Sequence, residues 1–135
     1  MVEQSGTLRL QIAGKQLKDL DWFSKSDPVC LLEEWDPALQ VWRVRGQTET
    51  IDDNLDPVFE RTLQLDYRSP QQQVKLTMWD DDGGGAFELI GLISIPVSLL
   101  QEHAQSGEVL DRPLLHPEKP RSRRGNILVT VTQES

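Results

Sequence analysis

The chain has 135 residues, of which 14 are Lys or Arg and 22 are Asp or Glu, for a formal net charge of −8. Its 37% hydrophobic and 27% charged content is typical of a globular domain and excludes a disordered chain, and its acidic balance excludes a nucleic-acid binder held by bulk charge. The apolar stretch at 89–100 is too short to span a bilayer, and the single Cys30 permits no internal disulfide. We therefore expect one cytoplasmic, monomeric domain covering residues 1–135.

Alternation of apolar and polar residues predicts β-strands along most of the chain. It is clearest at 7–12, 74–79 and 126–131, where one face of each strand would be buried. In chain order the predicted strands are 7–12, 28–34, 39–51, 57–66, 74–79, 88–96, 108–115 and 126–131, with a helical turn at 98–105. Eight short strands with little helix indicate an all-β protein, an eight-stranded antiparallel β-sandwich.

Acidic residues concentrate at one end of this predicted sandwich. In alternating antiparallel strands every second connection falls at the same end, which groups 18–27, 52–56, 80–88 and 116–125. The first three connections contain ten of the 22 acids: Asp19, Asp21, Asp27, Asp52, Asp53, Asp56, Asp80, Asp81, Asp82 and Glu88. Taking these ten charges from the total of −8 leaves +2 on the rest of the chain, so the negative charge is local.

Such a cluster is costly unless a cation fills it, because nearby carboxylates disfavour joint ionisation. Calcium takes six to eight oxygen ligands, often from carboxylates and backbone carbonyls on flexible loops. Asp21 and Asp27 on one loop, facing Asp80, Asp82 and Glu88 on another, have the chemistry for such a site. The alternative is that each acid is an ordinary turn-forming residue.

Three motifs give these acids a more specific interpretation. The segment DWFSKSDP (21–28) resembles the first calcium loop of C2 domains, and DDD (80–82) followed by ELIG (88–91) resembles their third loop. NLDPVF (54–59) is similar to the segment between them, with Asp56 in place of the usual Asn. The stretches FSKSDPVCLL (23–32), LQLDYR (63–68) and GNILVTVTQES (125–135) most resemble the first C2 domain of copines. Copines usually carry further domains, so we expect either one domain of a longer protein or a short relative.

The resemblance implies a C2 fold of type II topology, with both termini at the end away from calcium. It also implies a set of calcium ligands: the side chains of Asp21, Asp27, Asp80, Asp82 and Glu88 and the backbone carbonyls of Trp22 and Asp81. Glu88 stands where the family usually has Asp. The Asp81 side chain is expected to point to solvent.

The function implied is calcium-dependent binding to anionic phospholipid of the phosphatidylserine type, and hence recruitment of a cytoplasmic protein to membranes. Trp22, Phe23 and Phe87 are predicted to insert into the membrane, since Trp favours the interface. The alternative for Phe23 and Phe87 is that they fold inward and cap the core. Basic residues near an anionic surface add attraction, and the candidates are Lys119, Arg121, Arg123 and Arg124. Their alternative is a solvated loop.

Two competing functions remain open at this point. A C2 domain that binds proteins, with weak or absent calcium affinity, is favoured by Glu88 and Asp56. An enzyme is not expected, since no histidine base, activated nucleophile or phosphate-binding Gly-Lys motif accompanies the acids.

Overall fold

The computed structural model describes residues 6–21 and 24–134 and consists of two four-stranded antiparallel sheets packed face to face. In chain order the elements are β1 (Gly6–Lys15), β2 (Pro28–Asp36), β3 (Val41–Gln47), β4 (Leu63–Tyr67), β5 (Gln73–Gly83), β6 (Ala86–Pro96), α1 (Val97–Ser106), β7 (Leu110–Pro113) and β8 (Asn126–Glu134). One sheet has the order β4-β1-β8-β7 and the other β3-β2-β5-β6. The predicted eight-stranded β-sandwich is confirmed.

The alternation seen in the sequence builds the core between the sheets. Along β1, Leu8, Leu10 and Ile12 are fully buried, while the residues between them face outward. The largest fully buried side chains are Phe59, Leu8, Leu10, Ile12, Leu32, Leu65, Leu76, Met78, Ile90, Leu100, Leu110 and Ile127. Helix α1 adds Val97 and Leu100 to this core. Among the described residues, no helix is both long and apolar enough to cross a bilayer.

Four connections meet at one end of the sandwich, as the strand count predicts. We name them loop 1 (16–27), loop 2 (48–62), loop 3 (84–85) and loop 4 (114–125). Backbone hydrogen bonds join them: Leu17 N–H donates to Leu55 O at 2.9 Å, and Lys18 N–H donates to Arg124 O at 3.1 Å. The described ends of the chain, Thr7 and Glu134, pair with each other at the opposite end. One strand precedes loop 1 and one follows loop 4, the order expected of type II topology.

Two predicted boundaries differ from the structure. The predicted strand at 57–66 is wrong in its first half, because 57–62 forms only an isolated bridge from Val58 to Ala13 before β4 begins. The predicted loop at 80–88 is mostly strand, since pairing of β5 with β6 continues to Gly83 and Ala86.

Candidate metal centre

Three aspartate side chains converge where loop 1 meets the β5–β6 hairpin. One carboxylate oxygen from each of Asp21, Asp80 and Asp82 lies within 4.8 Å of the others. Asp21 comes from loop 1, whereas Asp80 and Asp82 lie two residues apart on β5. Residues two apart on a strand project to the same side, which aims both β5 carboxylates at loop 1.

The hairpin that carries Asp80 and Asp82 turns through two glycines. Gly84 and Gly85 have φ of 60° and 84°, and Gly83 before them has φ of 83°. Glycine adopts this left-handed backbone without steric cost, so the triple glycine allows a two-residue turn. The strands therefore stay paired up to the turn, and the acidic positions lie on paired backbone.

Asp80 is the centre of the cluster. Its side chain is fully buried, and Asp80 Oδ2 has no hydrogen-bond partner among the residues that the structure describes. Its other oxygen accepts the backbone N–H of Asp27 at 2.8 Å. Burial raises the pKa of Asp80 to about 7, and the neighbouring Asp21 and Asp82 carboxylates add to the increase. A buried, unpaired carboxylate oxygen is costly, and a bound cation would remove that cost.

Asp21 is raised in the same direction. Burial raises the pKa of Asp21, and the nearby negative charges of Asp82 and Asp27 raise it further. Three hard oxygen donors of this kind fit calcium better than a soft metal. Asp21, Asp80 and Asp82 are therefore residues that could hold calcium.

Asp27 braces the loops. Its Oδ1 accepts the backbone N–H of Asp53 at 2.6 Å, and its carbonyl accepts the N–H of Asp81 at 2.9 Å. The Asp53 carboxylate in turn accepts the N–H of Lys25. Asp27 thus joins loop 1 to loop 2 and to β5, close to the three-aspartate group but outside it.

The Asp81 side chain does not point to solvent, contrary to the sequence prediction. It is half-buried, and its carboxylate accepts the Thr50 hydroxyl at 3.0 Å and the Gly83 N–H at 2.9 Å. Asp56 has a similar bracing role, because its Oδ1 accepts the N–H of Gln16 at 2.9 Å. The ordinary turn-forming interpretation therefore describes Asp81 and Asp56.

Glu88 lies opposite Asp80 in the β5–β6 ladder but outside the three-aspartate group. Its side chain is exposed. Burial lowers the pKa of Arg124, and the negative charge of Glu88 opposes that shift. The negative charge of Glu88 thus acts on Arg124, and its role as a calcium ligand stays a prediction.

The aromatic predictions divide between described and undescribed residues. Trp22, with its backbone carbonyl, and Phe23 lie outside the described residues. Phe87 is 48% exposed and lies beside loop 3, so it does not cap the core. Together with Val29, Leu31 and Trp79 it lines an apolar groove of about 420 Å³ on the outer face of the second sheet.

The basic run of loop 4 also divides into two parts. Lys119, Arg121 and Arg123 are exposed. Arg124 is only 3% exposed, and its guanidinium donates to Ile90 O at 2.6 Å and Leu89 O at 3.1 Å. Because these contacts occupy it inside the protein, we leave Arg124 out of the proposed membrane-contact residues.

Two residues that organise the site were not singled out from the sequence. The buried Ser26 hydroxyl accepts the Leu20 N–H at 2.9 Å and donates to Lys18 O at 2.9 Å, which fixes loop 1 just before Asp21. Thr50 holds Asp81 from loop 2. Serine and threonine often bond nearby backbone in this way, but their frequency in loops gives no signal for these two positions.

Comparison with known proteins agrees with the geometry of the fold. A family model of the C2 domain matches residues 6–111, so the chain belongs to the C2 domain family. Copine-E of Dictyostelium discoideum is 37% identical over 94 residues, which cover 65% of this chain and 16% of Copine-E. Nicotinic receptor-associated protein 1 of Caenorhabditis briggsae is 27% identical over 157 residues, which cover 94% of this chain and 24% of that protein. The chain thus spans less than a quarter of the length of these curated relatives.

Solved structures show the same fold. The BON1-C2B structure aligns with a TM-score of 0.72 at 18% identity, covering 96% of this chain and 92% of that one. The two calcium-bound C2 domains of Extended-Synaptotagmin 2 align with a TM-score of 0.68 at 20% identity, covering 98% of this chain and 46% of that one. The predicted similarity to C2 domains and copines is confirmed.

Proposed function

We propose that this C2 domain binds calcium at Asp21, Asp80 and Asp82 and thereby attaches to anionic phospholipid membranes. The observation that carries the proposal is the buried Asp80 Oδ2, which has no partner among the described residues and lies beside two further carboxylates. Calcium bound there supplies positive charge and coordination positions that lipid phosphate oxygens complete. The calcium-bound state of the similar Extended-Synaptotagmin 2 structure supports the choice of ion.

Attachment follows from the change in local charge. Without calcium, the acidic loops are repelled by the anionic cytoplasmic leaflet, and neutralising them removes the barrier. Exposed Phe87 beside loop 3 and the exposed basic residues Lys119, Arg121 and Arg123 lie at the same end as the aspartates. We propose that they contact the membrane together with Trp22 and Phe23. On this proposal the domain acts as a cytoplasmic monomer recruited to membranes when calcium rises.

Vesicle sedimentation tests this proposal. With phosphatidylserine vesicles and calcium, we expect the wild-type domain to sediment and Asp80→Asn with Asp82→Asn to stay in solution, because the double variant lacks two of the three converging carboxylates. Asp66→Asn with Glu102→Gln is the matched control, since it makes the same charge change at exposed positions on β4 and α1. Unchanged sedimentation of the Asp80/Asp82 variant would contradict the site.

A protein-binding function with weak calcium affinity is the second candidate. It is favoured by the position of Glu88 outside the three-aspartate group and by the bracing role of Asp27, which leave three carboxylates rather than five in that group. Absence of any calcium effect on wild-type sedimentation would favour this candidate.

A further inference from the structure

Loop 4 encloses a cavity that the calcium site does not use. Its volume is about 390 Å³, and it opens between loop 4 and the start of loop 1. The residues around it include Gln16, Arg121, Ser122, Arg123, Arg124 and Gly125. Pockets of this size commonly hold small molecules or headgroups.

The charge of this cavity is opposite to that of the protein. The chain carries −8, yet three arginines and no Asp or Glu are found among the residues that line the cavity. Arg121 and Arg123 are exposed, and within 6–21 and 24–134 neither forms an ion pair. Arg9, Arg43 and Arg45, by contrast, each pair with a carboxylate. The cavity therefore offers positive charge that no protein group neutralises.

The backbone around the cavity is anchored at several points. Buried Arg124 binds two carbonyls of β6 and donates to the Ser122 hydroxyl at 3.0 Å, which ties loop 4 to the second sheet. Gly125 lies so close to loop 1 that an added Cβ would be 2.5 Å from Gln16 O. The Leu114 N–H donates to Gly125 O at 2.8 Å across the base of the loop. Loop 4 is thus held against loop 1, whose other end carries Asp21.

We propose that this cavity binds a phosphate monoester group, held by Arg121 and Arg123. A phosphate monoester carries close to two negative charges at neutral pH, which matches two unpaired arginines. Guanidinium groups bind phosphate through paired, charge-assisted hydrogen bonds. That the phosphate belongs to a lipid headgroup at the membrane rests on the proposed function, whereas the binding of phosphate itself does not.

Titration with inositol trisphosphate in calcium-free buffer tests the phosphate site. We expect the wild-type domain to bind this probe with one-to-one stoichiometry, and Arg121→Gln with Arg123→Gln to lower its affinity at least tenfold. The control is Arg61→Gln with Arg112→Gln, which removes the same charge from exposed positions outside the cavity lining; we expect it to stay within about twofold, because distant exposed charges are screened. No binding by the wild type, or an equal loss in the control, would overturn the proposal.

Calcium-free vesicles then identify the source of the phosphate. We expect the wild type to prefer phosphatidylinositol bisphosphate vesicles over phosphatidylserine vesicles of equal charge, and the Arg121/Arg123 variant to lose that preference. Binding of the soluble probe without any vesicle preference would overturn the lipid source and assign a free phosphate ligand. Failure of calcium-dependent sedimentation on phosphatidylserine would contradict the proposed function instead, because these titrations contain no calcium.

Discussion

Asp80 is the residue whose environment most constrains the metal-free protein. Its pKa is raised from 3.8 to about 7, mainly by burial. Between these pH values the folded chain holds a proton that the unfolded chain has released. The Asp80 contribution to stability is therefore fully present below pH 3.8 and is lost as pH rises through about 7.

This sign gives a prediction for calcium-free buffer. From pH 5.5 to pH 8, we expect the free energy of unfolding of the wild type to fall by about 2 kcal/mol relative to that of Asp80→Asn, since each pKa unit corresponds to about 1.4 kcal/mol. Urea unfolding at the two pH values measures both proteins. The amide cannot ionise, so the variant serves as the reference for all other titrating groups. An equal pH dependence in both proteins would contradict the buried, calcium-free state of Asp80.

At the scale of single elements, alternation predicted β1, β5 and β8 because each buries one face. It failed at 57–62, where Val58 is 63% exposed and Phe59 fully buried, so the side chains alternate although the backbone makes only one bridge. It also missed the extension of β5 to Gly83, because Asp and Gly have low β propensity and pairing with β6 overrides it. Local patterns carry burial, whereas strand length depends on the partner.

The junction of loop 4 with loop 1 makes a second prediction at this scale. Gly125 has φ of 93° and no room for a side chain, with Gln16 O at 2.5 Å from an added Cβ. Gly125→Ala should lower the free energy of unfolding by about 2–4 kcal/mol, from backbone strain and overpacking together.

Gly107→Ala is the matched control, because Gly107 has φ of 77° but open space around it. It should cost only about 1 kcal/mol, from backbone strain alone. Urea unfolding compares the two variants. Equal losses would show that crowding at the junction contributes nothing, and so would contradict close packing of the two loops.

At the scale of the whole molecule, the sequence predicts where the acids gather but not which of them lack partners. Strand parity places ten acids at one end, and the structure joins the loops there. Asp27, Asp56 and Asp81 are each paired with backbone N–H groups from other parts of this end or from their own turn. Only side-chain placement separates these from Asp80, whose Oδ2 lacks a partner within the described chain.

The most direct test of calcium-driven membrane attachment is a calorimetric calcium titration of the domain, with and without phosphatidylserine vesicles. We expect binding in the micromolar range, about 10⁻⁶–10⁻⁵ M as in sensor sites, and tighter binding when vesicles are present. Tightening is required because calcium that promotes lipid binding must itself be bound more strongly in the presence of lipid. No heat of binding at millimolar calcium, with or without vesicles, would contradict the calcium site and favour a protein-binding domain.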